Sequence, residues 1–338
     1  MQHSIPTIKH LIVYSIVMGL AGFFTPVADA KIIKKPASAQ RKKAPKQVAV
    51  PDFGHDGGPN LLSHAALVFD QATGRAIYAK NADSVVPIAS ITKLMTSMVV
   101  LEAKQNLDEP IVIEPSDIDT IKNSRSRLPV GTVFRREDLM RLALMASDNR
   151  AAAALGRTYP GGTATFVEAM NAKAKLLGLT NTRFVDPTGL APGNVASPQD
   201  LALMVSAAAS FELIRTFSTA PALNVTLPNS GRQIGFNNTN SLVKADGWNI
   251  GLSKTGFINE AGKCLVMQAI IGTKPVVIVL MDSLGKFTRI GDANRIKKWI
   301  ESGKATATAS LAPTALAMPA VLVPAAPSPV VVLPVKAI

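Results

Sequence analysis

Three short polar motifs stand in one order along a chain that is otherwise 47% hydrophobic: Ser90-Ile91-Thr92-Lys93, Ser147-Asp148-Asn149 and Lys254-Thr255-Gly256. Their separation constrains the fold more than any other feature. If the three act together, the chain must bring residues near 90 and near 254 to one place, around everything between them. The flanking patterns say how. Ala65 to Asp70 and Arg75 to Lys80 read as two strands joined by a turn at Gln71-Ala72-Thr73-Gly74. Gly251 to Phe257, Cys264 to Ile271 and Val276 to Met281 read as a meander, with Gly272-Thr273-Lys274 as one turn. Between them, residues about 110–245 are mostly helical in pattern. The expectation is an α+β (α/β) fold: an antiparallel sheet made from both ends of the chain, flanked by helices, enclosing a helical lobe.

The helices place the motifs. Ile91, Leu94, Met95, Met98, Val99 and Leu101 recur at near-helical spacing, so a helix is expected from Ser90 to Lys104. Further helices are expected from Arg136, from Asp148 to Gly156, from Thr163 to Leu177 with Gly178 as its stop, from Pro198 to Ser210 with Ser197 as its cap, and finally up to Trp299 and Ile300. Ser90 and Lys93, three apart, share a helix face. A serine hydroxyl is a poor nucleophile without a base beside it. Lys93 can be that base only if burial or a neighbouring positive charge lowers its pKa, and Lys254 is a candidate for that charge. Ser147 and Asn149 can offer a hydroxyl and an amide, while Asp148 caps the helix between them. Lys254 and Thr255 can bind a carboxylate, and Gly256 lets substrate backbone lie close. Two other Ser-x-x-Lys runs, Ser241 to Lys244 and Ser283 to Lys286, open no long apolar helix.

Composition removes several alternatives. The lone Cys264 excludes an internal disulfide, and its apolar surroundings suggest a buried thiol, not a nucleophile. Of the four histidines, only His55 and His64 lie beyond the N-terminal segment, too few for a zinc cage or a Ser-His-Asp triad. No metal and no cofactor is expected. The 36 Lys and Arg against 23 Asp and Glu give a net charge of +13, suited to an acidic polymer or anionic surface. Nucleic acid is not expected, because no segment interleaves aromatics with basic residues. Lys9 and His10, the apolar run Leu11 to Phe24 and Ala28-Asp29-Ala30 read as a signal peptide at 1–30, which implies export to the periplasm and a soluble enzyme after cleavage. Residues 31–60 read as a basic, then Gly/Pro-rich linker, with Lys31 to Lys46 a possible contact for wall or envelope partners. One domain is expected at 61–300, and an Ala/Pro/Val-rich disordered tail at 301–338.

The motif set, with Pro87-Ile88-Ala89-Ser90-Ile91-Thr92-Lys93-Leu94-Met95-Thr96 around the serine, resembles the low-molecular-mass penicillin-binding proteins, the D-alanyl-D-alanine carboxypeptidase family. Gly251 to Met267 resembles its endopeptidase branch, the penicillin-binding protein seven type, which cleaves peptidoglycan cross-links. The resemblance implies a penicillin-binding transpeptidase-like, β-lactamase-like fold. It implies Ser90 as acylated nucleophile, Lys93 as base, and Ser147, Asn149 and Lys254 as proton relay and substrate contacts. The backbone N–H groups of Ser90 and Phe257 would form the oxyanion hole. Arg289 falls where some members place a carboxylate-binding arginine; a solvated residue before the last helix is the alternative reading. Peptidoglycan stem peptides are the implied substrate and β-lactams the implied covalent inhibitors. The stretch after Ile300 has no amphipathic anchor pattern, which points away from a tethered carboxypeptidase. A β-lactamase would need a deacylating glutamate in the helical lobe, where Glu168 is the nearest candidate. A non-catalytic wall-binding module is the rival from another class.

Overall fold

A computed structural model describes residues 51–55, 57–227 and 231–306. The expected signal peptide, the basic run Lys31 to Lys46 and nearly all of the tail lie outside the described residues. Strands β1 (Ala65–Asp70) and β2 (Arg75–Lys80) form the expected hairpin, with Leu67 opposite Ala79. After the two-residue strand β3 (Val86–Pro87) comes a 3-10 turn over Ala89–Thr92, and only then α1 (Lys93–Glu102). The sequence predicts α-helix from Ser90. The backbone delays it because Ala89 enters at φ +48°, in the left-handed region, so regular helix begins three residues later.

Strands β4 (Pro110–Val112) and β5 (Val133–Arg135) pair with each other and lead into α2 (Arg136–Met145), α3 (Asn149–Arg157) and α4 (Gly162–Leu176). The two-residue strand β6 (Val195–Ala196) pairs with β3. Then come α5 (Pro198–Ala208), α6 (Glu212–Thr219) and the hairpin of β7 (Ala222–Thr226) and β8 (Gln233–Asn237). Local chemistry sets these boundaries. The Asp148 carboxylate accepts from Ala151 N at 3.0 Å at the start of α3, and Ser197 Oγ accepts from Asp200 N at 3.2 Å, with Pro198 at the first helical position of α5. The lobe is therefore less helical than its pattern suggested. In β7 and β8 the buried residues Leu223, Val225, Ile234 and Phe236 alternate with exposed ones, over runs of five residues each.

The chain closes with the meander β9 (Asn249–Ile258), β10 (Gly262–Ile271) and β11 (Lys274–Ser283), then α7 (Thr288–Glu301). The main sheet has the order β2-β1-β11-β10-β9, antiparallel throughout, so both chain ends build it. Alternate side chains feed two cores. Leu67, Val266, Val277 and Val279 join the core shared with α1, α2, α3 and α5, whereas Val68, Leu265, Ile278 and Leu280 pack on Ile296 and Trp299 of α7. The strand β9 is an edge, and the lobe meets the sheet there. Contacts of the folded part begin ahead of the expected Leu61: Phe53 bridges to Pro59 and packs on the α7 core, and Asp52 pairs with Lys298 at 2.8 Å. They also run past Ile300, since Ala305 is buried in the same core.

Candidate active site

Ser90 sits half-buried in the 3-10 turn, and Lys93 at the start of α1 is wholly buried. Lys93 Nζ lies 2.7 Å from Ser90 Oγ, 2.7 Å from Asn149 Oδ1 and 2.6 Å from the Thr188 carbonyl. Three acceptors suit an ammonium. A neutral amine has two N–H bonds and one lone pair, and among the three partners only the serine hydroxyl can donate back. The neutral form therefore points its lone pair at the Ser90 hydroxyl hydrogen. Burial lowers the Lys93 pKa from the usual 10.5 to about 7, while the carboxylates of Asp186, Asp148 and Asp119 pull it upward. A base with a pKa near 7 has a large neutral fraction at neutral pH.

A second pair faces the first. Lys254 Nζ donates to Ser147 Oγ at 2.8 Å and to the Thr255 carbonyl at 3.0 Å. Burial lowers the Lys254 pKa well below 10.5, helped by the positive charges of Lys93 and Arg289. Ser147 lies between α2 and α3 at φ +58°, a conformation few non-glycine residues adopt. Asp148 turns away to cap α3 and accepts from Ser126 Oγ at 2.9 Å. Its neighbours Ser147 and Asn149 turn the other way, toward Lys254 and Lys93. Thr255 Oγ1 is 2.7 Å from Thr239 Oγ1.

Two glycines let the pieces close. A Cβ on Gly256 would stand 2.8 Å from the Ile88 carbonyl and 3.3 Å from Ser90 N, so β9 lies directly against the serine turn. That contact sets the backbone of Ser90 beside the backbone leading into Phe257, whose side chain is exposed. A Cβ on Gly189 would stand 2.0 Å from the Ala89 carbonyl. Arg289, on α7, donates from one Nη to the carbonyls of Gly256 and Cys264 at 3.1 Å each. It therefore braces β9 and β10 rather than standing free in solvent. Cys264, paired across from Gly256, is buried, and burial pushes its thiol up to about 11.

Asp186-Pro187-Thr188-Gly189 belongs to none of the three motifs. In the fold, Asp186 accepts from the backbone N–H of Thr188, Gly189 and Ala191 at 2.6, 2.8 and 3.0 Å, and this turn delivers the Thr188 carbonyl to Lys93. Ser124 was also missed; its Oγ accepts from Asn149 Nδ2 at 2.8 Å. Glu168 lies exposed on α4, and no glutamate is among the hydrogen-bond partners of Ser90 or Lys93 among the described residues.

Comparison with known proteins follows the same lines. The chain is 49% identical over 247 residues to the D-alanyl-D-alanine endopeptidase of Pseudomonas aeruginosa, covering 73% of this chain and 80% of that one. It is 43% identical over 291 residues to the D-alanyl-D-alanine endopeptidase of Escherichia coli, covering 86% and 88%. The crystal structure of the Streptomyces K15 DD-transpeptidase matches the fold with a TM-score of 0.67 at 28% identity, over 72% of this chain and 98% of that one. A family model described as D-alanyl-D-alanine carboxypeptidase matches residues 54–285. That span holds all three motifs and the whole five-stranded sheet, and the chain belongs to this family of serine peptidases.

Proposed function

We propose that the protein is a serine DD-peptidase that hydrolyses D-Ala-containing cross-links of peptidoglycan through an acyl-enzyme and is inhibited by β-lactams. The observation that carries this reading is a wholly buried lysine amine 2.7 Å from a serine oxygen, where burial lowers the pKa to about 7. Ser90 Oγ attacks the D-Ala carbonyl as Lys93 Nζ takes the hydroxyl proton. The carbonyl oxygen takes up negative charge between the N–H groups of Ser90 and Phe257. The C–N bond then breaks, and the proton held by Lys93 passes through Ser147 Oγ, beside Lys254, to the leaving amine, which leaves Lys93 neutral again. Water next attacks the ester, giving a proton to the neutral amine of Lys93; the bond from the acyl carbon to Ser90 Oγ breaks, and Lys93 returns the proton to Oγ, which regenerates Ser90. Asn149, Thr255 and Gly256 line the path of the substrate backbone, and Arg289 adds positive charge behind Lys254 for a carboxylate. A β-lactam amide enters the same first step, but its leaving group stays tethered.

Cleavage of cross-links, in preference to trimming of pentapeptides, is supported by the names of the relatives at 43% and 49% identity, both endopeptidases; a carboxypeptidase of Bacillus subtilis is 31% identical. The segment from Lys9 to Ala30 supports export to the periplasm, and the basic run Lys31 to Lys46 supports contact with wall or envelope partners. The test is incubation of the mature enzyme with purified dimeric muropeptide and monomeric pentapeptide, with products identified by mass. Dimers are expected to fall to monomers faster than D-Ala is released. Rapid D-Ala release with intact dimers overturns the endopeptidase assignment, and no cleavage of either overturns the peptidase.

A further inference from the structure

The amide of Asn149 has two ends, and only one suits Lys93. Its oxygen accepts from Lys93 Nζ at 2.7 Å; turned over, it would set N–H against N–H. What holds it is the 2.8 Å bond from Nδ2 to Ser124 Oγ. The Asp119 carboxylate lies beside Ser124, accepting from its backbone N–H at 2.7 Å, and the Ser124 side chain helps hold the carboxyl pKa down. An ionised carboxylate accepts only, so a Ser124 hydroxyl turned toward Asp119 gives it the hydrogen and keeps a lone pair for Asn149. We infer that Ser124, polarised by Asp119, is a positioning residue that locks the Asn149 carboxamide with its oxygen toward Lys93.

Asp119 is built for this. Desolvation pushes its pKa up, but bonds from the Ser124 hydroxyl and from the N–H groups of Lys122, Ser124 and Ile121 hold it below the usual range. Those backbone bonds measure 3.0, 2.7 and 2.8 Å, and they wrap the 119–124 loop around one carboxylate. The loop is tied across the cleft as well, where Lys122 pairs at 2.5 Å with Glu260 in the turn between β9 and β10. The charged groups around Lys93 are Asp186 from the turn after α4, Asp148 at the cap of α3, Asp119 from this loop and Lys254 from β9. Loss of the lock removes one acceptor from the Lys93 ammonium, which disfavours the charged form, and lets the amine wander from Ser90.

The inference rests on Ser90 being acylated with Lys93 as its base. Acylation by a fluorescent penicillin, followed from pH 5 to 9, tests it in the wild type, Ser124→Ala, Ser124→Thr and Asp119→Asn. Ser124→Ala is expected to slow acylation about tenfold or more at pH 7 and to move the acid limb to lower pH. Asp119→Asn should move that limb the same way, and Ser124→Thr, which keeps the hydroxyl, should stay within about threefold of wild type. An acid limb left in place or moved upward in Ser124→Ala overturns the inference, as does a Ser124→Thr as slow as Ser124→Ala. Labelling of the wild type at a residue other than Ser90 would instead sink the reading of the site on which the inference stands.

Discussion

A lysine with no exposed surface has lost the hydration that keeps an ammonium charged at high pH. For Lys93 this has consequences for rate and for stability. With its folded pKa near 7, acylation by penicillin should climb as pH rises through about 7 and level off above it, as a stopped-flow pH series would show. Stability follows by linkage. Between about pH 7 and 10.5 the unfolded chain holds a proton on Lys93 that the folded chain lacks, so stability rises with pH there. The cost of the depressed pKa is full below about 7 and is relieved as pH climbs toward 10.5. Relative to Lys93→Met, the wild type should gain about 1.4 kcal/mol per pH unit in that window by urea unfolding. A flat difference would mean Lys93 is not neutral in the fold. Lys93→Arg keeps the charge but cannot act as base, and should slow acylation by about 100-fold or more. At this scale the side chains were legible, because a motif names side chains. The Thr188 carbonyl was not: any residue carries one, and only the turn around Asp186 aims it.

Elements meet at the site through backbone that ordinary residues resist. Ala89 at φ +48° and Ser147 at φ +58° hold the serine turn and the α2–α3 junction in the left-handed region, and both must be held there by their surroundings. Gly189, at φ +81° with the Ala89 carbonyl where its Cβ would be, is one such support. Gly189→Ala should cost about 3 kcal/mol or more in urea unfolding and should slow acylation in whatever fraction stays folded, since Thr188 and Ala89 must both shift. A stable, fully active Gly189→Ala would show that the turn yields freely. The long strands of the meander and the capped helices α3 and α5 were readable because ten-residue strands and cap residues leave strong patterns. The β7–β8 hairpin was not, because five-residue alternations with Gly235 inside one of them look like loop. The 3-10 turn at Ser90 follows from the Ala89 conformation, which no residue type announces.

In the whole molecule, the sheet carries one core against the lobe and another against α7, and the site opens at the edge strand between sheet and lobe. The α+β plan was legible because strand patterns at both ends bracket helical ones. The ends of the folded part were less so, since Phe53 and Ala305 are isolated apolar residues in segments whose Gly/Pro and Ala-rich composition hides their docking on the α7 core. Deleting residues 307–338 should leave the melting temperature within about 2 °C of full length, whereas deletion from 302 removes Ala305 and should lower it further. Equal melting of the two truncated forms would show that the Lys304–Thr306 turn adds nothing. The central claim, that Ser90 is the nucleophile of a penicillin-sensitive peptidase, is tested most directly by intact mass and peptide mapping after brief exposure to penicillin. One penicilloyl adduct on the peptide containing Ser90, absent from folded Ser90→Ala, is the predicted result. An adduct that persists in Ser90→Ala, or none on the folded wild type, would contradict it.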